Sequence, residues 1–218
     1  MVDLLDSNEN IKTVYLVRHG ETFATMKGRI CGHSDISLNE NGVYQAEVLP
    51  AWFSDMGIES IFSSPLARTV QTSNVIAKAV GLLSYYKHSG LIEKKEGDWE
   101  GKSYWELRDQ SPKLWERWSK DPINFAPPSG ESVKDFVGRI GRAFNDIIMN
   151  YETGNKVVLV THAGVIRSMI MNALDIPVEN FFRIDIPTAS VSRLDWSESY
   201  TTIKYTGLTL DTYSYSVA

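Results

Sequence analysis

The sequence predicts an α/β fold, a three-layer sandwich in which a mainly parallel sheet carries helices on both faces. Three apolar runs are typical of buried strands, and each leads into a helical pattern. Strands that alternate with helices form parallel sheets, whose ligands bind beyond the carboxyl ends of the strands. With 218 residues and 43% apolar content, the chain is expected to form a single domain over residues 1–218.

The elements follow in order along the chain. The predicted strands are Thr13 to Val17, Ile58 to Ser64 and Lys156 to His162. Helical patterns occur in "LNENGVYQAEVLPAWFSDMG", which stops near Gly57, in "PLARTVQTSNVIAKAVG", which stops at Gly81, and in "GVIRSMIMNAL". The tryptophan-rich segment 101–129 breaks the alternation and predicts a helical excursion over the site. A long amphipathic helix, "SVKDFVGRIGRAFNDIIMN", and a terminal β-pair, "ASVSRLDW" with "TTIKYTGL", complete the chain.

Composition excludes several classes of protein. A formal net charge of −5 without a basic tract argues against nucleic-acid binding, and no apolar run approaches the roughly 18 residues of a membrane helix. A single cysteine, Cys31, cannot form an internal disulfide, and the acidic start "MVDLLDSNEN" lacks the features of a secretory signal. We therefore expect a cytoplasmic protein without membrane or nucleic-acid partners, in which any anionic ligand is held by a local cluster of cations.

Such a cluster follows the predicted strands. Arg18 and His19 end the first strand, Arg68 lies on the first helical turn after the second, and His162 ends the third. The arginine guanidinium matches phosphate oxygens, and the helix N-termini after Pro65 and Gly164 add backbone donors. The sequence therefore predicts a phosphate pocket at the carboxyl edge of the sheet.

The same residues predict a reaction. Histidines beside arginines should have lowered pKa values, which leaves one imidazole neutral enough to attack phosphorus. The resulting phosphohistidine is open to water, and the leaving alkoxide needs a proton from a carboxylic acid. The stretch "LIEKKEGDWEG" offers four candidates for this acid, which are Glu93, Glu96, Asp98 and Glu100.

Four motifs carry a resemblance to a known family. "LVRHGET", "SSPLARTVQT", "LIEKKEGDWEG" and "VTHAGVIR" resemble, in order and spacing, the histidine phosphatase superfamily, also called phosphoglycerate mutase-like, over roughly residues 13–196. The resemblance implies that the protein is an enzyme needing no metal and no cofactor. It also implies that His19 is the nucleophile, that Arg18, Arg68 and His162 bind the phosphoryl group, and that Glu93 is the acid.

The chain departs from the family pattern at two places. Many relatives carry Trp-Asn where this chain has Ala24-Thr25, so a phosphate contact is either absent or supplied by the Thr25 hydroxyl. Lys94, Lys95 and Glu96 replace more apolar residues and leave Glu96 as a rival acid.

Several substrates are compatible with the motifs. The run "CGHSD" is similar to the alpha-ribazole phosphatase subfamily, which dephosphorylates a late intermediate of cobalamin synthesis, and it should place Cys31, Gly32 and His33 near the mouth of the site. Related chains act on phosphoserine or on phosphoglycerate derivatives. The leading hypothesis is a phosphomonoesterase for a small phosphorylated substrate, and the alternatives are a phosphoglycerate mutase and a phospholigand-binding protein without catalysis. A homodimer is left open, and a metal site on His19 and His162 is disfavoured because arginines repel a cation.

Overall fold

A six-stranded sheet forms the centre of the computed structural model, which describes residues 10–210. The strands are β1 (Lys12–Arg18), β2 (Ser60–Ser63), β3 (Tyr86–Lys87), β4 (Lys156–Thr161), β5 (Val191–Trp196) and β6 (Thr201–Leu208). They lie in the order β3-β2-β4-β1-β5-β6, with parallel pairing from β3 to β1 and antiparallel pairing from β1 to β6. The predicted, mainly parallel sheet and its terminal β-pair are therefore confirmed.

The helices connect these strands. They are α1 (Phe23–Met26), α2 (Glu40–Val48), α3 (Ala67–Ala79), α4 (Tyr104–Gln110), α5 (Pro112–Lys120), α6 (Val133–Asn150) and α7 (Ala163–Ala173). Short 3-10 helices cover Leu49–Trp52, Ser89–Leu91, Gly97–Trp99 and Val178–Arg183. The helix predicted to run to Gly57 ends earlier, because Pro50 lacks the backbone donor that would continue it and a 3-10 turn takes over. No helix within residues 10–210 is long and apolar enough to cross a membrane.

Successive residues of β1 point to opposite faces of the sheet, and each face has its own apolar core. Val14 and Leu16 belong to the core formed with α6 and α7, whereas Tyr15 and Val17 belong to the core formed with α3 and the 3-10 turn after α2. A strand buried on both faces explains why the sequence "TVYLV" is continuously apolar rather than alternating. The helices on both faces confirm the three-layer sandwich.

Residues 101–129 contain the predicted helical excursion, formed by α4 and α5. Ser103 caps α4 in a capping box, in which its side chain accepts from the Glu106 backbone and the Glu106 side chain accepts from the Ser103 backbone. A third apolar cluster lies beneath these helices and contains Ile30, Trp99, Leu107 and Phe125, with Trp115 and Trp118 packed against it. The excursion thus has a small core of its own.

Two glycines allow the residues that follow β1 to pack closely against α2. A Cβ atom on Gly20 would lie 2.3 Å from the Gly42 carbonyl oxygen, and a Cβ on Gly42 would lie 2.0 Å from the Glu21 carbonyl oxygen. The first turn of α2 therefore packs backbone against backbone on the residues that follow His19. This contact explains why a glycine comes directly after the histidine.

Candidate active site

A cavity of about 440 Å³ opens where β1 and β4 end. Arg18, His19, Arg68 and Glu93 line it together. His162 is 1% exposed and lies next to them, with its ring centroid 5.2 Å from that of His19. The structure thus brings together the side chains that the four motifs single out. Helices α4 and α5 contribute Tyr104 and Trp118 to the same cavity, so the excursion forms part of its wall.

His19 is held in one tautomer by its neighbour. Its Nδ1 atom lies 2.7 Å from the carbonyl oxygen of Gly20, which can only accept, so Nδ1 carries the proton and Nε2 keeps its lone pair. Nε2 makes no hydrogen bond with another described residue. Burial, followed by the positive charges of Arg68 and Arg18, lowers the pKa of His19 well below its ordinary value. The imidazole is therefore neutral and nucleophilic at neutral pH.

His162 is also neutral, but both of its ring nitrogens are engaged. Its Nδ1 accepts from Arg68 Nε at 3.3 Å, so its Nε2 carries the proton and donates to Ser64 Oγ at 2.9 Å. Burial and the charge of Arg68 lower the pKa of His162 well below its ordinary value. In this arrangement His162 orients Arg68, and any contact between His162 and a phosphoryl group requires one of these two bonds to open.

Arg68 is almost fully buried and is held by the loop that carries "CGHSD". Its Nη1 donates to the Ser34 carbonyl and its Nη2 to the Gly32 carbonyl, both at 2.8 Å. The Glu100 carboxylate holds the other side of the loop, accepting from the backbone of Gly32 at 3.1 Å and of His33 at 2.7 Å. Of the three residues predicted near the mouth, Cys31 lines the cavity and Gly32 contributes its backbone to this loop, while the charge of His33 acts on His162 and helps to lower its pKa.

The Arg18 guanidinium has an N–H donor that is not used within residues 10–210. One of its terminal nitrogens donates to the Ile186 carbonyl, whereas its buried Nε has no partner in the part of the chain that the structure describes. Burial lowers the pKa of Arg18, and the charge of Glu93 opposes that shift. A half-buried guanidinium whose Nε–H has no partner is suited to an anionic ligand.

Arg167 is a cavity residue that the sequence reasoning missed. It lines the cavity from α7, where its Nε donates to the Ile184 carbonyl at 2.6 Å. Its charge also contributes to lowering the pKa of Arg18, so the two guanidinium groups lie close to each other. The signal was present in "VTHAGVIR", because Arg167 stands four residues after Ala163 and therefore on the same side of the helix.

Glu93 is fixed against the start of α7. Its carboxylate accepts from the backbone of Lys94 at 2.9 Å and from the backbone of Gly164 at 3.0 Å. Arg139 of α6 donates to the Glu93 carbonyl at 3.2 Å and so holds the main chain at the same point. A Cβ on Gly164 would lie 2.3 Å from Glu93 Oε1, so the absence of a side chain there allows this approach. The donor predicted at the N-terminus of α7 is thus used by the candidate acid.

Glu96 lines the same cavity but has a different partner. Its Oε2 lies 2.8 Å from Lys94 Nζ, and burial raises its pKa in spite of this ion pair. Both candidate acids are therefore present, Glu93 held by backbone donors and Glu96 by a lysine. A carboxyl group with a raised pKa is suited to donate a proton near neutral pH, so Glu96 remains an alternative to Glu93 as the general acid.

The Thr25 hydroxyl also lines the cavity, but it forms hydrogen bonds with the nearby residue Thr22. It accepts from the Thr22 backbone at 2.8 Å and lies 2.9 Å from the Thr22 carbonyl, to which it donates in the capping box of α1. A contact between this hydroxyl and phosphate would require the donor bond to open.

Aromatic side chains also line the cavity. They are Trp99, Tyr104, Trp118, Phe125, Phe181 and Phe182. Tyr104 stacks on Trp118 with ring centroids 5.4 Å apart, whereas Trp115 packs behind Trp118 and Trp105 is 68% exposed. Among residues 10–210, no group of three or more histidine, cysteine, aspartate or glutamate side chains is placed to hold a metal ion.

Comparisons with known proteins agree with this geometry. The profile of the histidine phosphatase superfamily (branch 1) matches residues 14–209. A bifunctional protein of Mycobacterium tuberculosis is 33% identical over 178 residues, 81% of this chain and 48% of that protein, so the chain spans about half the length of this relative. A Yersinia pestis protein named "Probable phosphoglycerate mutase GpmB" is 34% identical over 190 residues, 85% of this chain and 86% of its own.

Solved structures show the same fold. The alpha-ribazole phosphatase of Shigella flexneri superimposes with a TM-score of 0.83 at 24% identity, over 90% of this chain and 96% of that one. A mycobacterial glucosyl-3-phosphoglycerate phosphatase in complex with VO3 gives a TM-score of 0.78 at 26% identity, over 91% of this chain and 100% of that one.

The fold, the paired histidines and the profile match together identify the class. The chain belongs to the histidine phosphatase superfamily, whose members are in general phosphatases or mutases. The family predicted from the four motifs is confirmed.

Proposed function

We propose that the protein is a metal-independent phosphomonoesterase that works through a phosphohistidine at His19. The observation that carries the proposal is the hydrogen bond between His19 Nδ1 and the Gly20 carbonyl, which leaves the Nε2 lone pair free in a cavity that also contains buried Arg68 and half-buried Arg18. Nε2 attacks phosphorus, and the bond from phosphorus to the ester oxygen breaks. Protonated Glu93 gives its proton to the departing alkoxide.

The second half of the reaction restores the enzyme. Water attacks the phosphohistidine, the Glu93 carboxylate accepts a proton from that water, and the bond between phosphorus and Nε2 breaks to release inorganic phosphate. Throughout both steps, Arg18 and Arg68 stabilise the charge on the equatorial oxygens as fixed donors. Arg167 adds a third positive charge at the same end of the cavity.

Hydrolysis is favoured over mutase activity by the charges of the cavity. A mutase has to retain a doubly phosphorylated intermediate, which requires cations at both ends. Two of the five lining cations are already neutralised, since Lys94 pairs with Glu96 and Arg29 pairs with Glu106 at 3.1 Å. The end away from His19 is instead aromatic. The name of the Yersinia relative keeps the mutase as the alternative to test.

The aromatic wall also bears on the substrate. Side chains such as Tyr104 and Trp118 suit a leaving group with a planar or apolar body. Alpha-ribazole 5'-phosphate is such a compound and fits the resemblance of the "CGHSD" run. The mycobacterial neighbour favours a second candidate class, the phosphoglycerate derivatives. A hydrolysis screen over alpha-ribazole phosphate, phosphoserine, 3-phosphoglycerate and nucleotide monophosphates, with phosphate release as the readout, separates these candidates.

The decisive experiment concerns His19. Brief incubation with substrate should leave an acid-labile phosphoryl group on His19 of the wild-type chain, and His19→Ala should abolish both the label and turnover. His88→Gln is a matched control, because His88 pairs with Asp146 and does not line the cavity, so this variant should keep the label. A label on another residue, or full activity of His19→Ala, would reject the mechanism. Binding of phosphate esters without turnover would support the binding-protein alternative.

A further inference from the structure

An ion pair is built into the wall of the cavity. Lys94 Nζ lies 2.8 Å from Glu96 Oε2, and the two side chains are only 11% and 18% exposed. Both residues line the cavity. A buried pair of this kind gives little net stability, because the attraction between the charges has to offset the loss of their hydration. Its presence in a binding cavity therefore calls for an explanation other than stability.

The pair lies beside the aromatic wall of the cavity. Glu96 interacts electrostatically with Tyr104, whose pKa is raised to about 12 chiefly by burial and then by that charge. Tyr104 in turn stacks on Trp118 in the aromatic wall. The charges that lower the pKa of His19, in contrast, come from Arg68 and Arg18. The cavity thus has a cationic phosphate end and an aromatic end that contains the ion pair.

Two of the lining cations are compensated by carboxylates. Arg29 pairs with Glu106, and Lys94 pairs with Glu96. Arg167 interacts with Arg18 but also lies 5.7 Å from the ring centroid of Phe181 in the aromatic wall, so it reaches both ends of the cavity. A carboxylate placed beside Lys94 and Glu96 would meet a lysine that is already neutralised and a glutamate that repels it. Neutral hydroxyl groups, in contrast, can donate to Glu96 and accept from Lys94.

We propose that the Lys94–Glu96 pair is a specificity determinant that selects phosphomonoesters with a neutral, hydroxyl-bearing leaving group over those that carry a carboxylate. This inference rests on the proposed phosphomonoesterase activity and defines its substrate class. Glu96 acts by neutralising Lys94, and removal of Glu96 alone frees a cation at the aromatic end.

Two substrates with the same carbon skeleton test the proposal. Glycerol 3-phosphate and 3-phosphoglycerate differ in one group, which is a hydroxymethyl in the first and a carboxylate in the second. The wild-type protein should have the higher kcat/KM for glycerol 3-phosphate. Glu96→Gln frees Lys94 and should shift the ratio of the two kcat/KM values toward 3-phosphoglycerate by about tenfold or more, the size expected of a hydrogen bond to a charged group.

Companion variants separate charge from structure. Lys94→Met removes the cationic partner of Glu96 and should shift the ratio of the two kcat/KM values further against 3-phosphoglycerate. The double variant K94M/E96Q should return this ratio toward the wild-type value. Glu116→Gln is a matched control, since it breaks an exposed ion pair with Lys120 on α5 and should leave the ratio unchanged. If Glu96→Gln does not fold in a thermal unfolding scan, Lys94→Met carries the test by itself.

Two results would overturn the proposal: a wild-type preference for 3-phosphoglycerate, or a ratio that neither single variant changes. The proposed phosphomonoesterase activity is tested separately, by asking whether the protein hydrolyses p-nitrophenyl phosphate and whether this hydrolysis depends on His19. If no ester is hydrolysed, the dissociation constants of the same two compounds, measured by calorimetry, replace the kcat/KM values and test the selectivity of the ion pair in the same way.

Discussion

Gly164→Ala should displace the candidate acid without disturbing the helix that bears the mutation. The added Cβ would lie 2.3 Å from Glu93 Oε1 and 3.0 Å from Phe136 Cε1, whereas unrelated carbon and oxygen atoms pack about 3.5 Å apart. The Glu93 carboxylate is the end of a flexible side chain, so it must move by about 1 Å or more. It would then lose its bond from the Gly164 backbone.

The size of the effect follows from the role of the carboxylate. A misplacement of about 1 Å can reduce the rate about a hundredfold, and general acid catalysis contributes about 10²–10⁴ in rate. We expect Gly164→Ala to lose on the order of a hundredfold in kcat on an alkyl phosphate, whose alkoxide needs a proton. The loss on p-nitrophenyl phosphate should be clearly smaller, because p-nitrophenolate leaves almost unaided.

The assay is a kcat comparison on the two substrates, with thermal unfolding as the check on folding. Gly138→Ala in α6 is the control, since its Cβ would meet only Arg142 at 3.6 Å, an ordinary contact. Alanine favours a helix interior over glycine by about 1 kcal/mol, which applies to Gly138, whereas at Gly164 the close contact with buried Phe136 opposes any such gain. The unfolding scan therefore measures the cost of that contact separately from the loss in kcat. An equal loss on both substrates, or no loss on the alkyl phosphate, would refute the assignment of Glu93 as the acid.

Three further predictions concern the same site. On a simple alkyl phosphate without hydroxyl or carboxylate groups, Glu93→Gln should lose about a hundredfold in rate, and on p-nitrophenyl phosphate clearly less, whereas any change in Glu96→Gln should be equal on these two substrates; the reverse pattern would make Glu96 the acid. Activity should survive EDTA, and vanadate should inhibit as a mimic of pentacoordinate phosphorus, whereas silencing by chelator and recovery with Zn²⁺ or Mg²⁺ would contradict this. Because the pKa values of His19 and His162 are lowered in the folded state, the unfolded chain takes up their protons first as the pH falls below 6.5. Urea titrations should therefore show a constant free energy of unfolding above that pH and, below it, a loss of about 1.4 kcal/mol per pH unit for each of the two histidines. The value of kcat/KM should stay constant until the pH falls well below 6.5.

The sequence predicted the sheet and the cluster at its edge because both depend on local patterns. The continuous apolar runs define buried strands, and polar residues directly after parallel strands must meet at one edge. The strand β3 escaped prediction, since it has two residues that are exposed and pair on one side only. Such a strand exists through its pairing with β2 and carries no periodic signal of its own.

The partners of each site residue were harder to predict than the residues themselves. Nothing local in the sequence shows that His162 binds Arg68 and Ser64, or that Glu93 reaches the backbone of Gly164. These contacts join segments far apart in the chain and are set by how the loops pack. The run "KKE" did signal an unusual polarity, but it could not show that Lys94 pairs with Glu96 inside the cavity.

The contact between Gly20 and Gly42 limits how the protein can be changed by directed evolution. Each glycine faces a backbone carbonyl of the opposite segment, and a backbone cannot swing aside as a side chain does. Every side chain at either position would push the loop of the nucleophile away from α2, so libraries should keep both codons fixed. Diversity belongs instead at aromatic wall positions such as Phe182, where side chains alone define the shape of the cavity.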